Sequence, residues 1–368
     1  MTSCYICFSS QFIKSQTIWG KEGDEITDLL IGKIWRGRES STVNNYCLRI
    51  KKFLAYAKNE NLCSNLPWSS ISVARYLTHL HSIGIPKSTI TSSLAAFKWV
   101  HSFIPGLNKW NDPLSDEFLS KISSAICRES SVPKNQKSPL TGEIISEIVK
   151  GSNLDDLVQL RDCLMICCAY SLLLRYDEIS HINCNHIERV SLGYRILIPK
   201  SKTDKFRDGK FVFLSHSAHQ FSSANLLSKY LSNAGLEVGK NHFLFGPLKK
   251  SSNGFSVANS ILSYASFNDI VKKAVGKLGL DKDKFGTHSC RSGGATDLAP
   301  NVTEHELLVS GRWADPRSIR SYVEMTDESR FHMNNILQSR IGSSDLTLTE
   351  ERESTKSSTI PFVVSKFR

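Results

Sequence analysis

The longest apolar run in the chain, Cys163 to Leu174, is closed on each side by a charge, Asp162 before it and Arg175 after it. A bilayer span needs ~20 apolar residues, so this segment is too short for a membrane and reads as a helix buried in a globular core. Such a helix demands other elements around it, and the flanking sequence supplies them. Apolar periodicity predicts helices over Thr141 to Lys150, Leu154 to Leu174, Ser223 to Ala234, Ser256 to Leu278, His288 to Ala299 and Thr303 to Gly311, with a final helix beginning near Pro316. Between them, Tyr194 to Ile198 and Phe211 to Leu214 read as strands, joined through Lys200 to Lys210 with Asp208-Gly209 in the turn.

Upstream lies a second set of helical signals. Ser41 or Thr42 is placed to cap a helix with Val43, Cys47, Ile50, Phe53, Leu54 and Ala57 on one face. A second helix carries Val73, Tyr76, Leu77, Leu80 and Ile83 and stops at Gly84; a third opens at Pro86 and Ser88 with Ile90, Leu94, Phe97, Val100 and Phe103 inward; a fourth runs from about Leu114 to Ile126. Ser130 to Pro139 has two prolines and no period, as a linker does. The 368 residues suit two domains at ~100–200 residues each. The fold class expected is mainly α with a small β-sheet or hairpin. Its expected parts are a poorly defined segment 1–37 containing a short helix at Ile26 to Ile34, a helical domain 38–130, a larger α+β domain 131–341, and a mobile Ser/Thr/Glu-rich tail 342–368.

Lys and Arg total 46 against 35 Asp and Glu, a net charge of +11, which points to a polyanion: nucleic acid, or less often a membrane surface. A hydrophobic content of 40% excludes a fully disordered chain. Met1 to Lys14 carries no signal-peptide pattern. The ten cysteines are dispersed, which suits reduced, buried thiols in an intracellular protein. Cys4 and Cys7 have zinc-like spacing without a second pair, so no metal site is expected.

Four segments hold residues able to do chemistry. Arg175 follows the apolar helix directly; it either pairs with Glu178 as a structural bridge or projects into an anion site. Lys200, Lys202 and Lys205 stand in the hairpin, either as a solvated tip or within reach of a phosphate or a leaving oxygen. His288 and Arg291 share a helix face beside Gly293-Gly294, as a structural pair or as a phosphate pocket at a helix start. Trp313 and Tyr322 close the series; a helical tyrosine is ordinarily a core residue, but Ile319 and Val323 already supply an apolar face.

In this order, the segments "LRYDEI", "THSCRSGGATDLA" and "SGRWADPRSIRSYV" resemble the boxes of the tyrosine recombinases, the phage integrase family with its Cre-like and Xer-like members. The resemblance covers about Thr141 to Arg340 by motif, and the preceding helices by position and number. Two positions depart from the common pattern: Leu173 stands where many members carry glycine, and Trp313 where many carry histidine, although Cre-like members have tryptophan.

The resemblance implies a helical core-binding domain and a DNA breaking-rejoining catalytic domain. It implies cleavage and rejoining of DNA through a 3′-phosphotyrosyl intermediate, with no cofactor and no metal. Tyr322 would be the nucleophile; Arg175 and Arg291 would hold the phosphate oxygens; His288 would orient the phosphate or accept a proton. Lys202 is favoured among the hairpin lysines as the general acid, Trp313 would donate its indole N–H, and Glu178, or less favourably Asp177, would support Arg175 or His288. Lys51, Lys52, Lys87, Lys98, Lys200, Lys205 and Arg207 are the expected DNA contacts. The implied partner is double-stranded DNA, bound by a homotetramer on two sites (monomer or dimer off DNA), with Phe331 to Ile341 passed to a neighbour and no membrane involved. The workplace would be nuclear in a eukaryote and otherwise cytoplasmic. A mobile-element integrase is the leading reading; a recombinase-derived DNA-binding host protein and a type IB topoisomerase-like enzyme are the alternatives.

Overall fold

The computed structural model describes residues 37–130, 137–199, 209–217, 222–251 and 254–323, together with residues 29, 32–33, 331, 334–336 and 338. Most of the expected helix at Ile26 to Ile34 and most of Phe331 to Ile341, together with the tail 342–368, Cys4 and Cys7, lie outside the described residues. The chain divides into two compact units, Met1–Lys134 and Asn135–Arg368.

The first unit holds α1 (Ser40–Asn59), α2 (Ser70–Ser82), α3 (Lys87–His101) and α4 (Glu117–Glu129), with a 3₁₀ turn at Pro113–Ser115. On α1, Val43, Cys47, Ile50, Phe53 and Ala57 are buried, the face that the period marks. The helix starts one residue before the expected caps, with Glu39 at the N-cap position. On α2, Ser69 accepts the Ser72 N–H, and Gly84 beyond its end takes φ +73°. The helix expected from Leu114 is split instead: Asp112 caps the 3₁₀ turn and Asp116 caps α4, each accepting a backbone N–H two residues on. The core centres on the Phe53 ring, whose centroid lies 4.9 Å from Trp68, 5.3 Å from Tyr76 and 4.8 Å from Phe97. Such aromatic pairs add about 0.5–1.5 kcal/mol each beyond burial.

The second unit is built around α6 (Leu157–Ser171), which is buried from Leu160 to Ala169 on nearly every side. Around it stand α5 (Gly142–Lys150), α8 (Ser223–Ala234), α9 (Tyr264–Lys277), α10 (Thr287–Leu298) and α11 (Glu304–Gly311), with the short α7 (Tyr176–Ser180) directly after α6. Two glycines let α10 approach closely. A Cβ at Gly293 would run into the Leu140 backbone and one at Gly294 into the Tyr170 carbonyl. Burial pushes the Cys168 and Cys290 thiols up to about 12, so they are inert packing groups.

The expected hairpin is β2 (Gly193–Ile198) paired antiparallel with β3 (Lys210–Ser215), Ile196 opposite Val212. A third strand, β1 (Ile187–Val190), completes the sheet in the order β1-β2-β3; with only Ile187 buried, it offers no alternation to detect. The helix expected from Ser256 is a second correction. Residues Leu248–Ser251 (β4) and Gly254–Val257 (β5) form an exposed hairpin, and α9 begins only where Ser263 accepts the Ser266 N–H. The final helix expected near Pro316 is a 3₁₀ helix, Pro316–Ser321, capped by Asp315. The architecture is mainly helical with small antiparallel sheets, and none of the described helices is long and apolar enough to cross a membrane.

A histidine sits inside the first unit. The fully buried His101 ring accepts the Trp68 N–H at Nε2 (3.0 Å) and faces Asp112 Oδ1 through Nδ1 (2.8 Å), an arrangement for the neutral ring. Burial draws its pKa below the ordinary 6.5, against the opposing pull of Asp112. The unfolded chain therefore takes up a proton that the folded unit refuses. Stability present above about pH 6.5 is lost as the pH falls from there toward the lowered folded value. Urea unfolding from about pH 7.5 to about pH 5.5 is expected to show the first unit's midpoint falling, with a shallower slope in His101→Gln; equal slopes would contradict this.

Candidate active site

The site is assembled where two helices end. At the end of α6, Leu174 N–H bonds Ala169 O (3.0 Å) and Leu173 N–H bonds Tyr170 O (3.2 Å). This is a Schellman closure that needs a left-handed residue, and Leu173 takes that conformation at φ +49°. Glycine is the usual occupant of such a position, which explains why glycine is common there in the family pattern. At the end of α11 the same closure recurs. Trp313 N–H bonds Leu308 O (3.0 Å), Arg312 N–H bonds Val309 O (3.1 Å), and Arg312 takes φ +55°.

Carbonyls at both helix ends are thereby left to accept from cations, as the helix dipole favours. Arg291, on α10, is fully buried. It donates through Nη1 to Leu173 O and through Nη2 to Gly311 O (2.6 Å). Arg312 donates to Leu172 O (3.1 Å) and Leu173 O (3.0 Å).

A single carboxylate joins these groups. Glu178 lies at the third position of α7, so it bends back to accept the Arg175 backbone N–H at Oε2 (2.9 Å), while its Oε1 pairs with Arg175 Nη1 (3.0 Å). Its Oε2 also takes Arg312 Nη2 at 2.9 Å, and Arg291 Nη1 lies 3.8 Å away. The side chain is 1% exposed. Burial opposes its ionisation, but Arg312, the Arg175 N–H and the other two guanidiniums hold its carboxyl below the ordinary carboxylate range. Arg291 is drawn down to about 10, first by burial and then by repulsion from Arg175; it remains charged at neutral pH. Asp177 is exposed, so Glu178 is the carboxylate of the cluster.

Two aromatic rings cover Arg291. Its Cζ lies 4.5 Å from the Trp313 centroid and 5.0 Å from that of Tyr322, and the two rings are 5.3 Å apart. Gly311 admits the indole, because a Cβ there would overlap the Trp313 ring. Tyr322 follows the 3₁₀ helix and is half-buried; its carbonyl accepts from Thr296 Oγ1 at 3.3 Å. His288, one turn before Arg291, is exposed. The buried Arg291 Nε and Trp313 Nε1 are among the donors with no hydrogen-bond partner among the described residues. Three guanidiniums over one carboxylate, with donors of Arg291 and Trp313 unmatched, form a site suited to an anion.

Of the expected site residues, Arg175, Glu178, Arg291, Trp313 and Tyr322 are brought together, with His288 at the start of the same helix as Arg291. Lys200, Lys202, Lys205 and Arg207 lie outside the described residues, between β2 and β3. Lys51, Lys52, Lys87 and Lys98 are exposed on the first unit, where Lys87 Nζ donates to Cys127 O (2.9 Å). Sequence reasoning missed Arg312. Its one signal was a cation directly after the glycine that ends a helix. Among the described residues no group of three or more His, Cys, Asp or Glu is placed to hold a metal ion.

The profile described as the phage integrase family matches residues 139–329, and that of the phage integrase N-terminal SAM-like domain matches residues 32–104. An integrase/recombinase xerD homolog from Selenomonas ruminantium is 24% identical over 294 residues, covering 79% of this chain and 84% of its own. Among solved structures, the XerH site-specific recombinase bound to difH superposes with a TM-score of 0.58 at 17% identity, covering 92% of this chain and 96% of that one. The Tn1549 transposon integrase with transposon right end DNA gives 0.53 at 14% identity, covering 83% and 98%. The lambda integrase dimer on a COC' core site gives 0.51 at 15%, covering 95% and 80%.

Replacing Glu178 by glutamine leaves three largely buried guanidiniums without a counter-charge. Denaturant unfolding is expected to show a loss of about 3 kcal/mol, whereas Asp177→Asn, one residue earlier and exposed, stays within about 0.5 kcal/mol.

Proposed function

The chain belongs to the phage integrase family, and from that premise we propose that it is a site-specific DNA recombinase whose chemistry runs through Tyr322. The observation that carries the reading is the stacking of the Trp313 and Tyr322 rings on Arg291, beside the Glu178 carboxylate that also binds Arg175. The Tyr322 hydroxyl attacks phosphorus, a tyrosine–phosphate bond forms, and the bond to the 5′ oxygen breaks. The leaving 5′ oxygen takes a proton from Lys202, and His288 orients the phosphate or receives the phenol proton. Attack by a 5′-hydroxyl on the phosphotyrosine reverses the step and joins a new strand, so the bond energy is kept and no ATP is used.

Negative charge grows on the non-bridging oxygens in the transition state. Arg175 and Arg291 meet it with forked guanidinium donors, and Trp313 Nε1 supplies a further donor. Glu178 holds the arginines and touches no substrate.

Residues 38–130 form the core-binding domain and 131–341 the catalytic domain, and both bind duplex DNA. The relatives named as recombinases and the structures named as DNA complexes support this assignment, as does the charge of +11. Lys51, Lys52, Lys87, Lys98, Lys200, Lys205 and Arg207 contact phosphates. The acting form is a homotetramer on two DNA sites, encoded by a mobile element. It works in the nucleus of a eukaryotic host and otherwise in the cytoplasm.

Incubation with nicked suicide duplexes bearing the DNA that flanks the gene is expected to give a covalent protein–DNA adduct. Tyr322→Phe abolishes the adduct and retains binding. No adduct from the parent chain, or equal adduct from Tyr322→Phe, would overturn the reading. Relaxation of supercoiled plasmid lacking any target sequence would instead favour the topoisomerase-like activity. Duplex affinity is expected to fall linearly on a log–log plot against salt, and Lys51→Ala is expected to lower that slope by about 0.9.

A further inference from the structure

We propose that Arg312 is a positioning residue for strand cleavage, an inference that rests on the roles assigned above to Tyr322, Arg175 and Arg291. Arg312 sits at φ +55°, a backbone conformation in which glycine is the usual residue. A side chain there is strained, yet this one is long, charged and 6% exposed. Its contacts converge on the groups that orient the other two arginines. Leu173 O, which it takes at 3.0 Å, also accepts from Arg291 Nη1 and lies two residues before Arg175. Glu178 Oε2, which it takes at 2.9 Å, belongs to the carboxylate whose Oε1 holds Arg175.

The effect of Arg312 is competitive. Glu178 Oε2 already accepts from the Arg175 N–H and from Arg312, so Arg291 is held 3.8 Å from it, outside hydrogen-bond distance. Arg291 therefore stays under Trp313 and Tyr322 with its Nε unbonded. Without Arg312, Oε2 is open to a tight pair with Arg291, which draws that guanidinium away from the phosphate position. The charge of the cluster also falls, from three cations over one carboxylate to two.

The test uses the full chain in single-turnover cleavage of the nicked duplexes described above, read as rate constant and amplitude, with DNA affinity and thermal midpoint measured alongside. Arg312→Gly fits the left-handed backbone and removes only the side chain. Its cleavage rate constant is expected to drop about 10²-fold, with amplitude and DNA affinity unchanged. Arg312→Lys restores one charge to Glu178 and is expected to recover about tenfold. A merely structural role would lower the amplitude and the thermal midpoint and leave the rate constant of the surviving fraction intact; that outcome, or a parental rate in Arg312→Gly, overturns the inference. Should Arg312→Gly fail to fold, Arg312→Lys decides: a slower rate constant at full amplitude supports the inference and a parental rate overturns it. Absence of adduct from the parent chain overturns the recombinase reading and this inference together, whereas full-rate cleavage by Arg312→Gly overturns this inference alone.

Discussion

One buried carboxylate carries the organisation of the second unit's site. Three guanidiniums, from Arg175, Arg291 and Arg312, lie within ion-pair distance of Glu178. Like charges gathered in a dry pocket repel strongly, so they are tolerable only because the carboxylate sits among them and because two helices end at the same place. The C-terminal carbonyls of α6 and α11 accept from Arg291 and Arg312 and complete the solvation that water would otherwise give. The long apolar helix thus serves the chemistry indirectly: it is buried so that its end can be placed.

Placing those ends requires strain. Leu173 and Arg312 both take positive φ, and such non-glycine residues cost of order 1–3 kcal/mol each. At Leu173 the compensation is visible. Its side chain is buried in the small cluster with Ala295, Leu307 and Trp313, and its Cδ2 lies 2.7 Å from where a Cβ on Gly294 would stand. The bulk that glycine omits at 294 is supplied by leucine at 173.

The residues that came through most clearly from sequence were those whose pattern is set by one element. The buried face of α1 follows from its period, and the Arg175–Glu178 spacing follows from the first turn of α7. What stayed hidden depends on contacts far apart in the chain. Strand β1 shows a single buried residue, and β4 and β5 are four-residue strands with little burial, too short for an alternation to stand out. Arg312 owes its role to Glu178, 134 positions away, and the His101–Trp68 bond joins residues 33 apart. The preference for Glu178 over Asp177, expected from the sequence, agrees with which of the two the turn points inward.

In the proposed reaction these side chains surround one phosphate with the Tyr322 phenol in line behind it. The most direct measurement is a crystal structure of the chain on nicked duplex DNA with orthovanadate bridging the strand ends. Vanadium is expected to be bonded to the Tyr322 oxygen, with Arg175, Arg291 and Trp313 Nε1 donating to its equatorial oxygens. Vanadate bound elsewhere, or Tyr322 remaining stacked on Arg291 with its hydroxyl away from the vanadium, would contradict it.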